Sequence, residues 1–180
     1  MEDTIVAIAS PPGQGAVSLI RISGSESLQI AEKIFKGNML NWAKIPRSQH
    51  FGSIVNNKQD KVDGVLITFF RGPNSYTGED TVEISCHGGM LVTQAVLDVV
   101  IEAGARPAEP GEFSKRSFLN GKMDLTQAEA VMDLISARTS LAMRAANSQL
   151  DGRLGLSLIH ISEPTRQEAI SFAVVCVEKK

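Results

Sequence analysis

The sequence predicts an α+β fold: a mixed β-sheet with packed helices, followed by one long helix. Three patterns carry that prediction. Short apolar or alternating runs, bounded by turn residues, recur at residues 4–9, 16–23, 51–55, 62–70 and 81–87. Helical spacing of apolar residues appears in between, around residues 25–35 and 91–103. From Asp124 to about Leu150 a longer amphipathic segment follows without strand signals.

The first strand ends at Ser10-Pro11-Pro12-Gly13-Gln14-Gly15, a turn-rich break. The second is rich in Val17, Leu19, Ile20 and Ile22, and Ser23 with Glu26 has the spacing of a capping box for the helix after it. A polar loop through Asn41 and Pro46 leads to the weaker strand at 51–55, and the Asn56-Asn57 turn precedes the most apolar run, predicted as central. The strand at 81–87 stops at Gly88-Gly89. Val92, Ala95, Val96, Val99, Val100 and Ala103 then share helical spacing up to Gly104, a C′ stop. Pro107 and Pro110 mark a junction, and a short helix is expected over 111–120. Asp124 and Gln127 form a second capping-box pattern, opening one helix with Leu125, Ala128, Met132, Ile135, Ala142 and Ala146 on a single face. Such a helix must cover the α/β unit, pack on later helices or meet a second copy. Three segments are expected: 1–120, 121–155, and 156–180. The last puts Pro164 inside a helical pattern and resembles translated adapter read-through, so it is expected to be a non-native tail.

Composition narrows the class. The 180 residues are 43% hydrophobic and 21% charged, with a formal net charge of -2. That balance is ordinary for a globular chain and gives no broad basic footprint for nucleic acid. No apolar run approaches the roughly 18 residues a membrane span needs. Cys86 and Cys176 cannot build a disulfide framework, so a reducing, cytoplasmic setting is expected.

Several chemistries drop out. Gly121-Lys122 is followed by Met123 and lacks the earlier glycine of a P-loop, so neither a GTP nor a potassium site is expected here. Gly13-Gln14-Gly15 reads as a turn. Cys86 and His87 are neighbours on a strand and point to opposite faces, which rules out a thiol–imidazole pair and favours a buried structural cysteine. His50, His87 and His160 are scattered, and no ligand spacing for a metal exists. Three charged residues stand out instead. Arg21 lies in an otherwise apolar strand and needs a partner. Glu83 shares a face with Thr81 and Ser85, where a carboxylate is either solvated or placed to accept two parallel hydrogen bonds from a pterin-like ring. Lys122 sits in the turn before the long helix, on the surface or against an anionic ligand. Spacing alone leaves a structural Arg21–Glu83 ion pair and a ligand site both open.

Longer motifs carry a resemblance. Thr4-Ile5-Val6-Ala7 with Pro11-Pro12-Gly13, Ile20-Arg21-Ile22-Ser23-Gly24, residues 72–89 (opening Gly72-Pro73-Asn74-Ser75-Tyr76-Thr77-Gly78-Glu79-Asp80), Arg106-Pro107-Ala108-Glu109-Pro110-Gly111-Glu112-Phe113 and residues 118–130 occur in one order. Together, over residues 3–154, they resemble the N-terminal domain of the tRNA-modification GTPases called MnmE or TrmE. The resemblance implies a tetrahydrofolate-binding, aminomethyltransferase-like domain that homodimerises and binds 5-formyl-tetrahydrofolate or a related reduced folate. It implies folate-binding roles for Arg21, Glu83 and Lys122, with no catalytic residue assigned. Members of this family act with the flavoprotein MnmG (GidA) to place an aminomethyl-type group on the wobble uridine of tRNA, which is met only in the full complex. The family's P-loop and its C-terminal Cys-Ile-Gly-Lys motif have no counterpart in this sequence, so turnover by the chain alone is not expected. The competing expectation is a ligand-free dimerisation scaffold. A stand-alone transferase lacks an evident general base.

Overall fold

The computed structural model describes residues 3–37, 45 and 47–151. The predicted tail at 156–180 lies outside the described residues, with Cys176 and His160. In chain order the elements are β1 (Ile5–Ile8), β2 (Val17–Ser23), α1 (Ser27–Ile34), β3 (Phe35–Gly37), β4 (Gln49–Val55), β5 (Lys61–Phe70), β6 (Thr81–His87), α2 (Met90–Glu102), β7 (Arg106–Pro107), α3 (Glu112–Leu119), α4 (Leu125–Ser136) and α5 (Ser140–Leu150). The chain divides into two compact units, Met1–Lys122 and Met123–Lys180.

The first unit is built on one seven-stranded sheet in the order β3-β4-β5-β6-β2-β1-β7. All neighbours run antiparallel except β1 and β7, so the sheet is mixed, as expected. Alternation sorts the strands into two faces. Ile20 and Ile22 of β2, Val65, Ile67 and Phe69 of β5, and Val82, Ile84 and Cys86 of β6 turn one way into the apolar core. Helices α1 and α2 supply the other half. Ser27, Ile30, Ala31 and Ile34 repeat at three- and four-residue steps along α1, and Thr93, Val96, Val99 and Val100 do so along α2. Cys86 is buried in this layer, and burial pushes its thiol pKa up, so the cysteine is structural.

Of the two expected capping boxes, the first is corrected and the second forms. Ser23 and Glu26 form no capping box, because α1 starts later and the Ser23 hydroxyl is taken by Thr77 and Glu79. The Glu26 N–H instead donates to Thr4 Oγ1 at 3.0 Å. The second capping box does form: Asp124 accepts from the Gln127 N–H while Gln127 Oε1 accepts from the Asp124 N–H.

The single long helix after it is not what the chain builds. Ala137 turns to extended backbone (φ -60, ψ 121) and ends α4. Thr139 then caps α5 by accepting from the Ala142 N–H at 3.1 Å. A threonine hydroxyl competes well for the free donors of a helix start, and the break lets α5 fold back along α4. The return is seen at the ends, where Gln127 Nε2 donates to the Leu150 carbonyl at 2.7 Å. Ala130 and Ala146 are the buried residues of the pair, small enough to let two helices approach closely. Among the described residues no helix is long and apolar enough to cross a membrane.

Ile84 lies on the middle strand of the sheet and is fully buried. Replacing it with alanine is expected to lower the unfolding free energy of the sheet unit by about 2–5 kcal/mol, through lost transfer energy and the cavity left behind. Urea unfolding reads this as a lower midpoint at constant slope. A change below about 1 kcal/mol contradicts the packing described.

Candidate functional site

The face of the sheet opposite α1 and α2 carries the polar residues. Strand register arranges them in rows. Ile5, Ser23, Thr81 and Phe70 form one row, and Ala7, Arg21, Glu83, Thr68 and Gln49 form the next. A third row, Leu19, Ser85, Leu66 and Phe51, is apolar apart from Ser85. Arg21 and Glu83 are therefore direct cross-strand neighbours. Nε and Nη2 of Arg21 both donate to Glu83 Oε1, at 2.9 and 2.7 Å. The pair is neither sunk nor free: the two side chains are 22% and 23% exposed. Glu83 Oε2 has no partner among the described residues.

Over the first row lies the loop between β5 and β6. It is pinned at many points. Gly72 N–H donates to Asp80 Oδ1 at 2.8 Å, Ser75 Oγ to the Glu79 carbonyl, and Ser23 Oγ to Glu79 Oε2 at 2.8 Å. Ser117 Oγ and Asn120 Nδ2, on and just after α3, donate to the carbonyls of Tyr76 and Thr77, each at 2.7 Å. So fixed, the loop sets the Tyr76 ring with its centroid 4.9 Å from the Arg21 guanidinium carbon, and α3 sets Phe113 at 5.9 Å. The Tyr76 hydroxyl lies 3.0 Å from Ser114 Oγ.

Beneath the loop is a cluster of two guanidiniums and three carboxylates. Arg116 of α3 has no exposed side-chain surface and contacts Asp3, Glu79 and Glu112 at 2.8, 3.2 and 3.1 Å. Arg106 spans Asp3 and Glu112 from the other side, 2.6 Å from each. Hydrogen bonds from Arg106 hold the Glu112 carboxyl down to about 2, against the desolvation that opposes them, with the Glu109 N–H and Arg116 helping. Burial works against the charge on Arg116, and Glu112, Glu79 and Asp3 overcome it, raising its pKa. One group is left out: Arg116 Nε is buried without a partner.

The three residues singled out in the sequence are thus placed unequally. Arg21 and Glu83 touch. Lys122 does not touch them, but it reaches the loop that borders them. Its N–H donates to the Ser117 carbonyl at 2.9 Å. Gly78 has φ +80, and a Cβ there would meet the Lys122 Cγ at 3.1 Å, so the lysine stem lies along the loop two residues from Tyr76. Its side chain is exposed, with no ion-pair partner among the described residues. Tyr76, Phe113 and Arg116 went unread in the sequence. The Glu112–Arg116 pair had a signal, the four-residue helical spacing of opposite charges. His87 belongs elsewhere: it pairs with Asp63 at 2.7 Å at the far end of β6.

Chemically this face combines a hydrogen-bond acceptor, a cation and aromatic rings. It offers one carboxylate oxygen with a free lone pair, a guanidinium bonded to the other oxygen and two aromatic rings, with the Lys122 stem along the bordering loop. No group of three or more metal-ligating side chains occurs among the described residues.

Comparison with known proteins agrees with the motif order. Residues 4–122 match the family described as GTP-binding protein TrmE N-terminus. The chain is 51% identical over 154 residues to the tRNA modification GTPase MnmE of Enterococcus faecalis, covering 84% of this chain and 33% of that protein. It is 53% identical over 152 residues to the Protochlamydia amoebophila protein of the same name, with the same coverage. For that of Latilactobacillus sakei the identity is 47% over 169 residues, covering 93% of the chain and 36% of the relative. The chain spans about a third of the length of these relatives.

The charged cluster makes two expectations measurable. Arg116→Met leaves Glu79 without its cation, with Asp3 and Glu112 keeping only Arg106, and is expected to destabilise the unit by about 3–5 kcal/mol. Glu112 has its folded pKa depressed from 4.5 to about 2. Its contribution, on the order of 3 kcal/mol, is present above pH 4.5 and lost as pH falls toward 2. Unfolding free energy measured against pH is expected to drop across that window, and Glu112→Gln to flatten the drop; an equal slope in both proteins contradicts the assignment.

Proposed function

The chain belongs to the family of TrmE N-terminal domains, and on that premise we propose that it binds 5-formyl-tetrahydrofolate, or a related reduced folate, at Arg21, Glu83 and Lys122, as a homodimer. One observation carries the reading. Glu83 stands on an open sheet face with Oε1 held by Arg21 and Oε2 unpartnered, beside the rings of Tyr76 and Phe113.

Those residues fit the ligand. The amino–imino edge of a pteridine presents two parallel N–H donors, and Glu83 accepts them, sharing Oε1 with Arg21. The guanidinium bonds one carboxylate oxygen and leaves the other to accept. Tyr76 and Phe113 offer apolar faces to the ring system. Lys122 meets an anionic part of the ligand as a point charge. Bound reduced folate supplies a one-carbon unit; the chain's own residues bind and orient it. No residue here is assigned to turnover. On the same reading the complete assembly, with MnmG, modifies the wobble uridine of tRNA in the cytoplasm, and GTP is handled by parts of the family's proteins other than this unit.

The homodimer reading draws on the third row. Phe51 is 75% exposed and Leu66, its cross-strand neighbour, 39%. Paired apolar residues at that exposure suit a surface covered by a second copy. A different reading has its own support: Arg21 and Glu83 already neutralise each other, which is enough for a ligand-free dimerisation scaffold.

Titration separates the two. With 5-formyl-tetrahydrofolate at about 100 times the dissociation constant, the folded state is expected to gain roughly 2.7 kcal/mol. Glu83→Gln, which keeps the shape of the side chain, is expected to abolish most of that gain. Lys122→Ala should weaken binding only several-fold, as loss of an exposed charge contact does. Sedimentation then completes the test. A dimer with no folate-induced stabilisation in the native chain supports the scaffold, and an unchanged gain in Glu83→Gln places the ligand elsewhere.

A further inference from the structure

We infer that the cleft between Arg47 and Arg71 is a phosphate-binding site for an RNA backbone, separate from the Arg21–Glu83 face. The inference rests on the tRNA-modification part of the reading above and not on folate.

Arg47, Arg71, Gly72 and Asn74 line an open cleft of about 510 Å³ at the start of the β5–β6 loop. Arg47 is held there by its backbone. It is one of two non-glycine residues with positive φ among those described (φ 68), a conformation that usually costs a side-chain-bearing residue energy. Its N–H donates to the Phe69 carbonyl at 2.8 Å, and its Nη2 to the Asn74 carbonyl at 3.2 Å. That single side-chain bond uses one of the five donors on the guanidinium. Arg71 is exposed and has no ion-pair partner among the described residues. Among the described residues no carboxylate lines the cleft. Asp80 touches the lining only at Gly72, whose N–H its Oδ1 accepts at 2.8 Å.

Two guanidiniums around an acid-free opening form an anion site, and their forked donors suit phosphate oxygens. The lining decides which kind of phosphate ligand. Its described residues offer guanidiniums and no aromatic ring to stack on a base, which suits contact with the backbone and not with sequence. An open cleft of that volume has room for a backbone phosphate. Against a net charge of -2, two isolated arginines make a local contact of few phosphates, one that positions an RNA already held by a larger assembly.

The test uses the chain and tRNA, with affinity measured by fluorescence anisotropy at several salt concentrations. The native chain is expected to bind weakly, and the double variant Arg47→Gln, Arg71→Gln to reduce the slope of log affinity against log salt by about 1 per arginine. Arg47→Lys, Arg71→Lys retains the charges and should restore most of the slope, which guards against a folding defect. A second arm titrates inorganic phosphate, followed by shifts of the arginine side-chain resonances. Phosphate binding at these residues with no arginine dependence of tRNA binding overturns the RNA assignment in favour of a small phosphate ligand. Absence of tRNA binding by the native chain, or a slope unchanged in the Gln variant, overturns the proposal. Crossing the variants keeps the two sites apart: the Gln pair should leave folate affinity unchanged, and Glu83→Gln should leave the tRNA slope unchanged.

Discussion

A guanidinium with no solvent around it has to be neutralised where it sits, and Arg116 sets the terms for everything near it. Its partners come from three distant places: Asp3 before the first strand, Glu79 in the β5–β6 loop and Glu112 a turn earlier on its own helix. Satisfying one buried cation thus ties chain start, loop and helix together. Arg106 shares two of those carboxylates and draws the short last strand into the same cluster. The Coulombic gain is offset by desolvation, so the net contribution to stability is smaller than the number of contacts suggests. What the cluster settles is position.

Position then passes outward. Glu79, held by Arg116 and by the Ser23 hydroxyl, fixes the end of the loop, and Tyr76 three residues earlier is carried over Arg21. Arg21 meets Glu83 because strand register places them opposite each other, and register is enforced by Ile20, Ile22, Val82 and Ile84 on the other face. Slipping one strand by a single residue would turn its own apolar pair away from the core. The core face and the polar face are therefore one constraint seen from two sides. The apolar layer determines where the carboxylate stands, and the buried cation determines what stands beside it.

Much of this was legible in the sequence, for identifiable reasons. The strands at 17–23, 61–70 and 81–87 show alternation or strong apolar character, and α1 and α2 show clean helical spacing. A charged Arg21 in an apolar strand was conspicuous for the same reason. Strands of two or three residues, Arg106–Pro107 and Phe35–Gly37, are too short for any periodicity to register. The break at Ala137 was hidden because its residues favour no turn strongly, and only the capping ability of Thr139 marks it. That Arg21 and Glu83 would touch needed a register between residues 62 positions apart, which spacing cannot provide. Tyr76 needed more still, since it owes its place to a loop fold, and Arg116 meets partners as far along the chain as Asp3.

A reduced folate is expected to meet this chain at the Arg21–Glu83 face. A crystal structure of the chain with 5-formyl-tetrahydrofolate tests that most directly. The expected result has the pteridine edge donating to Glu83, with Arg21 alongside and the ring against Tyr76 or Phe113, and Lys122 within reach of the ligand. A ring bound on another surface, with the Arg21–Glu83 pair left solvated, contradicts it.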